Sequence, residues 1–220
     1  MRRRMLKLFT PHDAERIKAA VEQAEKNTSG EIVAYVVERS DAYEEAEWRL
    51  GALLATLLLA LLLVLHYFTT MWLALDLSEM ALVVLSAFAL GIALATFCQP
   101  LKRFFAGRHL LDRRVRQRAI EAFLSEEVFR TRDRTGILIF VSLLEHRVLV
   151  LGDTGISAKV EQSEWHDIVQ AVTSAIRAGK PADGLVDAVT RAGALLERHG
   201  LPRKADDRDE LSDRLRIKER

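Results

Sequence analysis

Two long uncharged runs set the hydrophobic pattern of the chain. Residues 50–75 contain no Asp, Glu, Lys or Arg. After Asp76 and Glu79 a second uncharged run covers residues 80–100. A helix needs about 20 apolar residues to cross a bilayer core, and helices apolar on every face are normally membrane spans. The pattern therefore predicts a transmembrane hairpin over residues 50–70 and 80–100, turning at 72–79.

Outside these runs the pattern switches between helical and strand periods. Thr10, Pro11 and Asp13 form a helix start, and Ala14, Ile17, Val21 and Ala24 recur as one stripe. Residues 31–38, EIVAYVVE, read as a buried strand. A helical stretch over 41–49 leads into the first span, and residues 112–130 repeat Val115, Ala119, Ala122, Phe123 and Phe129 near one side. GILIFVSLL, residues 136–144, is the most apolar strand. A two-residue turn at Glu145 and His146 returns it as RVLVL, residues 147–151. Two amphipathic helices follow, one carrying Trp165, Ile168, Val172 and Ile176, the other Leu185, Val189, Leu195 and Leu196. Residues 203–220 are densely charged and are expected to be mobile or loosely helical.

The first two strands are joined through helices, which predicts parallel pairing with a right-handed crossover. The expected architecture is an α/β domain, a small mixed sheet flanked by helices, with the transmembrane hairpin inserted in the crossover. Its divisions are residues 1–49, 50–100, 101–202 and the tail 203–220.

Charge changes the picture by giving the hairpin a direction. Arg2, Arg3, Arg4, Lys7, Arg16, Lys18, Lys26, Arg39 and Arg49 precede it; Lys102, Arg103, Arg108, Arg113, Arg114, Arg116 and Arg118 follow it. The turn 72–79 has no Lys or Arg. The positive-inside rule then places both termini in the cytoplasm of a multi-pass inner-membrane protein. Trp72 and Tyr67 suit one interface, Trp48, Phe104 and Phe105 the other. The single cysteine, Cys98, forms neither an internal disulfide nor a zinc site.

TSGEIVAYVV, then TRDRTGILIFVSLLEHRVLVLGDTGI, then a Trp-containing helix and a Gly–Pro break resemble the TPM domain, in particular its membrane-bound bacterial branch. The resemblance covers roughly residues 8–202 and implies a compact, membrane-associated α/β domain. Some plant members look like acid phosphatases or photosystem-repair factors, and an animal member acts as a receptor accessory subunit. Here GDTG stands where many members have a G-Y-G-type exit.

The residues carry none of the motifs GxxxxGK[ST], HExxH, GxSxG or CxxC. The one acidic grouping comes from strand geometry. Asp153, after the hairpin, lies opposite the start of its first arm, and Asp133 precedes that arm on the same rim. Two carboxylates there are candidate ligands for a divalent cation such as Ca or Mg, which polarises a phosphoryl oxygen. Against this, Asp is an ordinary residue at turns. The cations Lys102, Arg103, Arg108, Arg113 and Arg114 mark topology and are candidate contacts to lipid head groups. They match no nucleic-acid-reading motif. Membrane lipids and another membrane protein are the expected partners, with no nucleic acid. The leading expectation is an adaptor or accessory protein without cofactor; the runner-up is a metal-dependent phosphatase. Transport is disfavoured, since neither span carries an embedded Asp, Glu, Lys or Arg.

Overall fold

The computed structural model describes residues 9–68, 76–201, 203 and 210–218. Arg2, Arg3, Arg4, Lys7 and the Trp72 part of the expected turn lie outside them. The chain divides into two compact units, one of residues 1–41 and 112–220, the other of residues 42–111.

The first unit is built on a four-stranded sheet in the order β3-β2-β1-β4. Its strands are β1 (Glu31–Val37), β2 (Gly136–Ser142), β3 (Arg147–Gly152) and β4 (Arg216–Lys218). β1 and β2 run parallel, with Ile32 opposite Ile137 and Tyr35 opposite Phe140, as the crossover argument requires. β2 and β3 are antiparallel. Every residue of β1 and β2 is buried, so the two strands read as continuous apolar runs.

Alternate side chains of these strands serve two cores. Ile32, Ala34, Val36, Ile137, Ile139 and Val141 belong to the larger one. There they join residues of α1 (Pro11–Glu25), α7 (His166–Arg177) and α8 (Pro181–Arg198). Val33, Tyr35, Val37, Leu138 and Phe140 meet Val115, Ala119 and Ala122 of α5 (Arg108–Ser125) on the other face. The Tyr35 and Phe140 rings stack at 5.7 Å between centroids. The sheet is thus layered between helices on both faces.

α1 starts where the sequence places it. Thr10 Oγ1 accepts from Asp13 N at 3.2 Å, while Asp13 Oδ2 accepts from Thr10 N at 3.0 Å and Oγ1 at 2.7 Å. The Thr10 backbone N–H, then its hydroxyl, hold the Asp13 carboxyl below its ordinary 3.8. A depressed carboxyl stabilises the fold above its unfolded value and loses that contribution as pH falls through the folded one. Thr10→Ala is expected to cost about 1 kcal/mol at neutral pH. Part of that difference should vanish as Asp13 protonates, which thermal melts across an acid series would show.

Three expectations are corrected. The helix predicted over 112–130 instead runs Arg108–Ser125 and is followed by a short 3-10 turn, Val128–Arg130, after Glu127 takes a left-handed backbone (φ 54°). The hairpin loop spans residues 143–146 rather than two residues. Leu143 N donates to Val37 O and Leu144 N to Glu38 O, so they pair with the last residue of β1 and the one after it instead of with β3. Finally, the charged tail supplies β4, pairing parallel to β1 with Tyr35 opposite Arg216. Arg216 Nε meets Glu126 Oε2 at 3.1 Å, and Leu211 and Leu215 pack against the two cores, which fixes a segment whose own composition predicts no strand.

The second unit holds α2 (Glu44–Phe68), α3 (Leu77–Phe97) and α4 (Gln99–Ala106). α2 joins residues 44–49 of the expected 41–49 stretch to residues 50–68 of the first span in one helix, while residues 41–43 stay outside it. α3 begins earlier than residue 80 because Asp76 caps it: Asp76 N donates to Glu79 Oε2 at 3.1 Å, using the two acids that interrupt the apolar pattern. α2 and α3 are long and apolar enough to cross a membrane, and only 17% and 11% of their most apolar stretches are buried. Such exposure separates them from the core helices of a water-soluble protein.

Candidate functional site

The acidic rim forms where β3 leaves the sheet. Asp153 N donates to Gly136 O at 2.9 Å, and Gly155 N to Arg134 O at 2.9 Å. The exit of β3 is thereby laced to the entrance of β2. A Cβ at Gly155 would stand 2.5 Å from Asp133 O and 2.7 Å from Arg134 O, so the GDTG glycine permits this close approach.

The carboxylates of the rim are engaged by neighbours. Asp153, buried, caps α6 (Thr154–Ser157): its Oδ1 accepts from Thr154 N at 2.7 Å, and Oδ2 faces Arg134 Nε at 2.8 Å. Asp133 is more open and lies 3.8 Å from the Arg132 guanidinium. Among the described residues no three of His, Cys, Asp and Glu group as metal ligands. A divalent cation at Asp153 would displace Arg134, with Asp133 and nearby backbone carbonyls as the available oxygens.

The opposite end of the parallel strands holds a buried polar cluster that the sequence reading missed. Glu145 is 1% exposed although it lies in the hairpin loop. Its Oε1 accepts from Ser40 N at 2.9 Å, its Oε2 accepts from the Ser142 hydroxyl, and the Ser40 and Ser142 hydroxyl oxygens are 2.7 Å apart. Beside it a polar cleft of ≈ 300 Å³ is lined by Ser40, Asp41, Arg114, Gln117, Arg118 and Glu121. Asp41 and Arg114 pair there at 2.8 Å, Arg118 and Glu121 at 3.1 Å. A charged residue in a β-turn ordinarily signals solvent exposure. Only the return of residue 40 beside the loop makes Glu145 an internal acceptor.

Glu145→Ala should leave Ser40 N buried without its acceptor. The expected destabilisation is about 1–3 kcal/mol. Glu145→Gln, which keeps an acceptor oxygen, should recover part of it in the same thermal melt.

The cations that follow the apolar hairpin separate into two sets. Lys102 is withdrawn from the lipid set: it is 5% exposed, and its Nζ donates to Glu47 Oε1 at 2.6 Å and to Ala42 O at 3.2 Å. An ammonium buried in this way is held by its partners. Arg114 is half-buried and paired with Asp41, as described above. Arg103 is half-buried on α4, whereas Arg108 and Arg113 are exposed on the first turns of α5.

The first unit is thus a mixed-sheet α/β domain with helices on both faces, and the second a pair of candidate spans with an appended helix. Residues 108–195, which hold α5 to α7, most of α8 and the β2–β3 hairpin, match the TPM domain; the chain contains a TPM domain. The NMR structure of BA42 protein from the psychrophilic bacterium Bizionia argentinensis has a similar fold. The TM-score is 0.58 at 21% identity, over 96% of this chain and 95% of that one. No curated protein matches the chain.

Proposed function

We propose that this is an integral membrane protein of the membrane-bound bacterial TPM branch, in which the hairpin holds the TPM domain at the cytoplasmic face of the inner membrane as an adaptor for another membrane protein. The observation that carries the reading is the exposure of the apolar helices. Leu57, Leu61 and Leu63 on α2, and Leu82, Leu85 and Leu90 on α3, all present more than half of their surface. An apolar area of that extent needs a non-aqueous surrounding. The cations on both sides of the hairpin and their absence from its turn support cytoplasmic termini. The adaptor role is supported by the close pairing of Asp153 with Arg134, and by the accessory-subunit precedent in the family it resembles.

Alkaline carbonate washing should leave the protein in the membrane fraction. Reporter fusions at Arg220 and within the turn should report opposite sides. Periplasm-type activity at Arg220 would overturn the topology. Crosslinking in intact membranes should join the TPM domain to a second membrane protein, and repeated recovery of uncrosslinked chain alone would remove the adaptor role.

A further inference from the structure

We infer that α4 is an in-plane anchor, seated in the head-group layer of the bilayer that the hairpin crosses. The inference rests on the membrane reading above and extends it by giving α4 the lipid interface as its partner. α3 ends at Phe97 and α4 begins at Gln99; between them Cys98 takes extended backbone (φ −105°, ψ 93°), which redirects the chain. The new helix is then clamped to the first turns of α2. Lys102 reaches Glu47 and Ala42 O, while Arg49 Nη1 donates to Phe105 O at 2.9 Å and Ala106 O at 3.2 Å. Those contacts occupy one side of α4, where Lys102 and Ala106 are buried.

The side left over is aromatic. Phe104 is 77% exposed, beside Phe105 at 5.3 Å between ring centroids. The helix ends that adjoin α4 carry two more exposed rings, Phe97 at 87% and Trp48 at 61%. Aromatic side chains concentrate at membrane–water interfaces. A short amphipathic helix with cations on its polar flank lies in that plane rather than across it. Arg108, exposed just beyond α4, supplies a cation suited to lipid phosphate. Continuity with α3 selects the same bilayer over any other apolar surface. It also explains why Lys102 is spent on an internal ion pair: the pair fixes α4 at the base of the hairpin.

The test is the depth of a nitroxide label on the full-length protein in phosphatidylethanolamine–phosphatidylglycerol nanodiscs. In a Cys98→Ser background, labels are placed by Phe104→Cys on α4, Leu57→Cys within α2 and Gln23→Cys on α1. All three positions are exposed, so each label meets the surroundings of the fold. The expected result is that labels at 57 and 104 meet oxygen more readily than a water-soluble nickel chelate, the one at 104 being shallower, while 23 shows the reverse. A label at 104 that behaves like 23 while 57 stays in lipid would overturn the inference and leave the membrane reading standing. Chelate access at 57 equal to that at 23 would overturn both.

Discussion

Gly91→Leu is expected to separate α2 from α3 and to lower the thermal stability of the hairpin sharply in detergent. A Cβ at position 91 would stand 2.6 Å from Gly51 Cα, 2.8 Å from Gly51 N and 2.9 Å from Leu50 O. A Cβ at Gly51 would in turn meet Phe88 O at 3.0 Å and its ring at 3.1 Å. The atoms in the way at position 91 are all backbone, so no rotamer change relieves the clash. In an apolar surrounding, helices associate largely through such close packing of small residues. Overpacking a well-filled contact costs about 1–3 kcal/mol, and a leucine against backbone belongs at or above the upper end. Gly91→Ala should act in the same direction with a smaller effect. The check is resonance energy transfer between dyes on the outer ends of α2 and α3, followed through a thermal ramp. A Gly91→Leu protein that keeps wild-type transfer and melting would remove the glycine crossing as the basis of the hairpin.

Replacing residues 42–111 with a short Gly/Ser linker should give a domain that stays in solution without detergent and melts cooperatively. Among the described residues, both hydrophobic cores of the first unit draw on positions outside this segment: Phe9 to Val37 on one side, Val115 to Leu215 on the other. Loop-closure entropy rises slowly with length, each doubling costing only about 0.6 kcal/mol. Shortening the insert is therefore thermodynamically mild if the linker spans the gap. The segment to remove is wider than the apolar runs suggest, because Tyr43, Ala46 and Lys102 are buried within the second unit's share of the chain. Circular dichroism and a thermal melt check the result across several linker lengths. Aggregation or a non-cooperative melt at every length would mean that the hairpin belongs to the domain's own core.

Elements with a local physical cause were legible in the sequence. The uncharged runs defined α2 and α3 because length and all-round apolarity are properties of a contiguous segment. β1 and β2 declared themselves as short β-branched and apolar runs, and α1 as a cap followed by a stripe of helical period. Parallel pairing of β1 and β2 followed from the crossover between them. The backbone contact between the exit of β3 and the entrance of β2, Asp153 N on Gly136 O, followed from hairpin geometry, since the exit of an antiparallel arm returns to the start of its partner.

What tertiary structure alone decided are pairings between residues far apart in the chain. The tail becomes β4 because β1 offers an open edge and Glu126 receives Arg216, neither of which the tail encodes. Asp153 receives an arginine nineteen positions before it, Glu145 becomes an internal acceptor for Ser40, and Lys102 is withdrawn from the surface by Glu47. The identity of each of these residues sets its charge and its hydrogen-bonding capacity. Whether that charge meets solvent, lipid or a partner is fixed only when the fold sets its distant neighbour beside it, since an ion pair or hydrogen bond acts over a few ångströms in space regardless of separation in sequence.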